Sequence, residues 1–102
     1  MNEEKPYTIK EVYGSNSQVL EAKAYEYYEK ASRLGHARSS LKMGLYHHRH
    51  NGYPQAYEFY GKAVHQGGEK YAIDAERESK DLKGKTQYGY KELMLLGADH
   101  KL

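Results

Sequence analysis

The chemically active side chains concentrate in the middle of the chain. No Asp or Glu stands between Glu29 and Glu58, while Lys30, Arg33, Arg38, Lys42 and Arg49 supply five positive charges and His36, His47, His48 and His50 add titratable rings. Arg38, Lys42, Tyr46 and Arg49 follow i, i+4, i+8, i+11 spacing, so a helix gathers them on one face. Cations flanking an aromatic ring suit attraction to an acidic peptide, an acidic protein surface or a nucleic acid. Tyr25, Tyr53 and Tyr57 also fall off the apolar stripes, and exposed tyrosine is enriched at binding hot spots. The candidate partner-binding residues are therefore Arg38, Lys42, Tyr46, Arg49, Tyr53 and Tyr57. Tyr27, Tyr28, Tyr60 and Tyr71 are expected in the core.

The run His47-His48-Arg49-His50 raises the question of a metal, since His47 and His50 can share a helical face. Zinc takes three or four ligands, however, no carboxylate or cysteine stands nearby, and Arg49 repels a cation. No metal and no cofactor are expected. A response to pH is the better reading, because unperturbed histidines titrate between pH 5 and 8. Nucleophile elbow, zincin helix, phosphate loop and paired carboxylates are all unrecognisable, and Gly67-Gly68-Glu69 reads as a helix connection, so the chain is expected not to be an enzyme. The lack of any cysteine excludes disulfides and thiol chemistry.

These side chains need elements to hold them. At 102 residues with a formal charge of +2, the chain has the length of one domain spanning 1–102. Its longest apolar run, Leu93-Met94-Leu95-Leu96, cannot cross a bilayer, and the acidic start Met1-Asn2-Glu3-Glu4 is unlike a signal peptide, so a soluble, cytoplasmic protein is expected. Mean hydropathy is −1.04, and twelve tyrosines stand against one phenylalanine and no tryptophan. Tyrosine must therefore supply core bulk as well as surface.

Shifted by 32 residues, Ala24-Tyr25-Glu26-Tyr27-Tyr28-Glu29-Lys30-Ala31 lies over Ala56-Tyr57-Glu58-Phe59-Tyr60-Gly61-Lys62-Ala63, with most positions identical, and Gly35 lies over Gly67. Apolar residues recur at helical spacing as Leu20, Ala24, Tyr27, Tyr28, Ala31 and Leu34, and as Ala56, Phe59, Tyr60, Ala63 and Val64. Between the copies Ala37, Leu41, Gly44, Leu45 and His48 mark a leading helix, with Gly44 admitting a close neighbour. Gly35 and Gly67 are expected to close helices and Pro54 to open one. A further helix is predicted over about Glu69–Leu82 with Ala72, Ala75, Ser79 and Leu82 inward, a short one over Tyr7–Tyr13, and one within Thr86–Leu96. The fold expected is all-α, a short α-solenoid of antiparallel helix pairs. Its repeat core covers about 20–82, with 1–16 and 84–102 as flanking or capping segments.

Gly35-His36-Ala37, Leu41, Met43-Gly44-Leu45-Tyr46, the segment Ala56 to Ala63 and Gly67 together resemble a Sel1-like repeat, a relative of the tetratricopeptide repeat. The likeness covers roughly Leu20 to Ala75. It departs from the family in its shortened inter-helix loop, His50-Asn51-Gly52-Tyr53, and in carrying Phe59 or Tyr27 where tryptophan is common. The resemblance implies a protein-binding adaptor or scaffold without shared catalytic residues, whose partner lies on the inner face lined by leading helices.

The expected function is thus a non-enzymatic protein–protein interaction module, of adaptor, inhibitor or immunity type. Its partner is another protein, one with an acidic surface suiting the cations, and the apolar ends of a short array also allow a homo-oligomer. The alternative is nucleic-acid binding through the basic Arg33–Arg49 region with Tyr46 stacking on bases, against which the low net charge argues. The 32-residue shift carries Arg38, Lys42, Tyr46 and Arg49 onto Lys70, Asp74, Glu78 and Asp81, so a competing reading pairs Lys42 with Asp74 and Arg49 with Asp81 and neutralises the stripe.

Overall fold

A computed structural model describes residues 17–82, 84 and 86–100. The helices are α1 (Ser17–Arg33), α2 (Ala37–Arg49), α3 (Tyr53–Gly67), α4 (Glu69–Ser79) and α5 (Tyr90–Asp99), and no strand occurs among the described residues. The all-helical expectation holds; the expected helix Tyr7–Tyr13 and the whole N-terminal flank 1–16 lie outside the described residues. α4 begins 32 residues after α2, and α5 ends 32 residues after α3. No helix among the described residues is long and apolar enough to cross a membrane.

Local signals set most of the boundaries. Pro54 sits in the first turn of α3, where its missing N–H costs nothing. Gly35 takes the left-handed backbone after α1, at φ 96°. The equivalent turn after α3 is made by Gly68 at φ 88°, not by Gly67 as the repeat register predicts. Gly67 stays helical and is small for a different reason. A Cβ there would stand 2.3 Å from the Tyr71 ring and 2.8 Å from the Ala37 methyl. α4 stops at Ser79, short of the expected Leu82, and residues 86–89 form no regular element, so the last helix runs later than expected. It opens where the Gly89 N–H donates to the Glu92 carboxylate at 2.9 Å.

α3 lies at the centre. Leu41, Ala56, Tyr60, Ala63, Ala72, Ala75 and Leu93 are wholly buried around it. Large side chains of this kind stabilise the fold by about 1.5–3 kcal/mol each. α2 comes close because a Cβ on Gly44 would lie 2.5 Å from the Tyr60 ring, so only glycine fits, as its spacing predicts. α5 closes the other side in the same way: Gly61 faces Leu96, and a Cβ on Gly97 would meet Val64 at 2.4 Å.

α1 is held differently. It packs on α2 and is joined to α3 by a buried polar relay. The Ser40 hydroxyl donates to Gln66 Oε1 at 2.7 Å, the Ser32 hydroxyl donates to Ser40 at 2.6 Å, and Gln66 Nε2 donates to the Ser32 carbonyl at 3.1 Å. With only α2 packed against it among the described helices, α1 covers a narrow face. Tyr27 is consequently 65% exposed and Leu34, just past the helix end, 87% exposed, correcting their expected place in the core.

Candidate partner-binding surface

The outward edge of α2 follows from its buried side. Leu41, Gly44 and His48 turn into the core, which leaves Arg38, Lys42, Tyr46 and Arg49 on the opposite, partly exposed side. The cations meet acids other than those the repeat register suggests. Arg38 reaches Asp74 at 3.9 Å, and Asp74 also takes a 2.7 Å ion pair from Arg77. Arg49 stands 3.9 Å from Glu21 and donates to the Tyr25 hydroxyl at 2.9 Å. Lys42 makes no ion pair among the described residues, so the expected Lys42–Asp74 and Arg49–Asp81 bridges are absent there. The cause is an offset: the first turn of α2, not its middle, lies against Asp74, while α1 crowds the C-terminal end of α2.

Tyr46 opens onto an aromatic groove between α1 and α3 whose floor is α2. Its ring centroid is 4.2 Å from Tyr25, tilted by 37°, and Tyr25 meets Tyr28 edge-on at 5.2 Å. His47 continues the row, stacked on Phe59 at 5.5 Å and 13°. Tyr25, Glu26, Glu29, Tyr46, His47 and Phe59 line a cleft of about 380 Å³. Burial, with the neighbouring His50 second, holds the His47 imidazole below the usual histidine range, so it stands neutral near pH 7. Burial raises the Tyr25 hydroxyl against the opposing pull of Arg49.

Tyr53 and Tyr57 belong elsewhere. They pack with Tyr88 beside the core: Tyr57 and Tyr88 rings lie 4.7 Å apart, and the Tyr88 hydroxyl donates to the Tyr53 carbonyl at 3.1 Å. His48 is fully buried in the same cluster. A carbonyl can only accept, so its Nε2–H donates to Thr86 O, and Nδ1 accepts from the Tyr60 hydroxyl at 3.0 Å. The predicted six-residue set is thereby divided, with Arg38, Lys42, Tyr46 and Arg49 on the α2 edge and Tyr53 and Tyr57 around Tyr88. The histidines diverge as well. His47 faces Phe59, His48 faces the core, and His50 lies 4.0 Å from Glu21. Among the described residues no three His, Asp or Glu side chains form a group able to hold a metal ion.

Sequence spacing missed Glu21, Phe59 and the pairing of Tyr25 with Tyr46, all of which join different helices. The chain was compared with family models, curated proteins and solved structures, and none matches.

Proposed function

We propose that the chain is a non-enzymatic protein-binding module, a cytoplasmic adaptor or inhibitor built as a short α-solenoid resembling Sel1-like repeats. Support for the repeat comes from the 32-residue interval shared by the starts of α2 and α4 and by the ends of α3 and α5. Leading helices α2 and α4 pack together, as do second helices α3 and α5. The binding site is the α2 edge, with Lys42 and Arg49 steering an acidic partner and Tyr46 as anchor.

One observation carries the reading. Tyr25, Tyr46 and Arg49 form a linked cluster that no further helix covers among the described residues, although its rings match in chemistry the buried ones around His48. A marginal small domain gains little by leaving such rings half in water, whereas an interface uses them.

The test is retention from nuclease-treated and untreated host extract on immobilised wild type and on the Lys42→Glu, Arg49→Glu double variant, after matching their melting temperatures. A protein retained by wild type through moderate salt and lost from the folded variant is expected. Retention of nucleic acid alone, falling steeply with salt, would replace this reading with nucleic-acid binding. Identical protein retention by both chains would remove the α2 edge from the interface.

A further inference from the structure

The groove between α1 and α3 carries a ligand chemistry opposite to that of the α2 edge. Its walls are the rings of Tyr25, Tyr46 and Phe59 with neutral His47, and its carboxylates are Glu26 and Glu29; among the described residues no lysine or arginine lines it. Glu29 also distinguishes this groove from the closed side of α3. In the 32-residue register it occupies the place of Gly61, the residue that lets α5 close onto α3, so α1 brings a charged side chain where close packing needs none. The aromatic faces are therefore left beside acids.

We propose that this groove is a docking pocket for a cationic side chain of a partner protein, with arginine fitting best, its guanidinium lying against the Tyr25, Tyr46 and Phe59 rings and donating to Glu26 and Glu29. Ring faces carry negative charge density, and a guanidinium both stacks on rings and bridges carboxylates. The chain already shows the affinity of this wall for a cation, since Lys62 Nζ stands 5.4 Å over the Phe59 ring from outside the cleft. Glu29 and Glu26 are engaged by Arg33 at 2.8 Å and Lys23 at 3.4 Å along the same helix. These are exposed pairs of small net strength, which a desolvated guanidinium can displace. Met43 at the base suits the aliphatic stem. The proposal rests on the protein-binding reading only in assigning the cation to a partner; the affinity of the groove is measurable without one.

The experiment is titration of the whole chain with N-acetylarginine amide at pH 7.5, read by chemical shifts of the tyrosine rings, against its neutral near-isostere N-acetylcitrulline amide. Saturable millimolar binding of the arginine probe, at least about fivefold tighter than the citrulline probe, with shifts confined to Tyr25, Tyr28 and Tyr46, is expected. Glu26→Gln with Glu29→Gln should weaken it at least about threefold, and Tyr46→Leu similarly, while Tyr57→Phe leaves it unchanged. Equal shifts from the two probes, no saturation, or undiminished binding by the folded Glu26→Gln, Glu29→Gln variant would each overturn the proposal. A failed titration beside intact partner capture through Lys42 and Arg49 would remove the groove and leave the α2 edge standing. Loss of capture with an intact titration would do the reverse.

Discussion

Two clusters of tyrosine and histidine, built around adjacent residues of α2, have opposite fates. Around His48, the rings of Tyr60 and Tyr88 are buried, with the irregular stretch 86–88 lying against the imidazole, and both imidazole nitrogens are hydrogen-bonded. Around His47, the rings of Tyr25, Tyr46 and Phe59 stay half exposed in a groove. The residue types are the same. The difference is the neighbour: the stretch 86–88 leading into α5 lies over His48 and Tyr57, while α1, with Glu29 in the register place of Gly61, leaves a cleft against α3. Buried, a tyrosine cluster holds helices together; left open beside charges, it offers an anchor to something else.

The largest effect should come from the sealed cluster. Tyr60→Ala removes a ring with no exposed surface and is expected to cost about 3–5 kcal/mol in urea unfolding. Tyr60→Phe, which deletes only the donor to His48 Nδ1, should cost about 0.5–1.5 kcal/mol. Gly44→Leu overpacks the contact with Tyr60 and should cost about 1–3 kcal/mol; an unchanged melt would break the assigned packing of α2 on α3. In the open cluster Tyr46→Ala loses the pairing with Tyr25, so it should cost about 0.5–1.5 kcal/mol, and a cost equal to that of Tyr60→Ala would erase the contrast. Its position off the apolar stripe alone predicts no effect on stability, and the Tyr25 contact corrects that.

Alkali and acid sharpen the comparison further. Burial raises the hydroxyls of Tyr57, Tyr60 and Tyr88 above the ordinary value of 10.0. The unfolded chain therefore loses these protons first, and the stability they contribute is intact below about pH 10 and lost as pH rises beyond it. Tyrosinate absorbance and helical circular dichroism should then change together in alkali; tyrosinate appearing to completion on a folded chain would contradict the sealed cluster. His47 and His100 are depressed below 6.5, mainly by burial, so the folded state takes up their protons less readily than the unfolded one. Stability should fall as pH drops below about 6.5, and His47→Gln should reduce that slope by a small amount.

Within single helices much of this was legible. Ala37, Leu41, Gly44 and His48 mark the buried face of α2 by spacing alone, and the copied segments place α1 and α3. The third helix of that series, α5, shares no residue with residues 56–63 at the same 32-residue shift, because Leu93, Leu96 and Gly97 meet α3 with different side chains and only the helix ends keep the period. Relations between helices were hidden. Whether Arg38 or Lys42 meets Asp74 depends on an offset of about one turn between α2 and α4, which periodicity within a helix does not carry. Tyr53 and Tyr57 look exposed by pattern but are half-buried, Tyr53 against His48 and Tyr57 against Tyr88 from an irregular stretch.

The most direct measurement is a two-dimensional NMR map of the chain while the protein captured by the α2 edge is added. Shifts should gather at Tyr25, Lys42, Tyr46 and Arg49, with Tyr60 and Tyr88 unmoved. Shifts centred instead on α5, around exposed Leu95, with Tyr25 and Tyr46 silent, would contradict the assignment of binding to the open cluster.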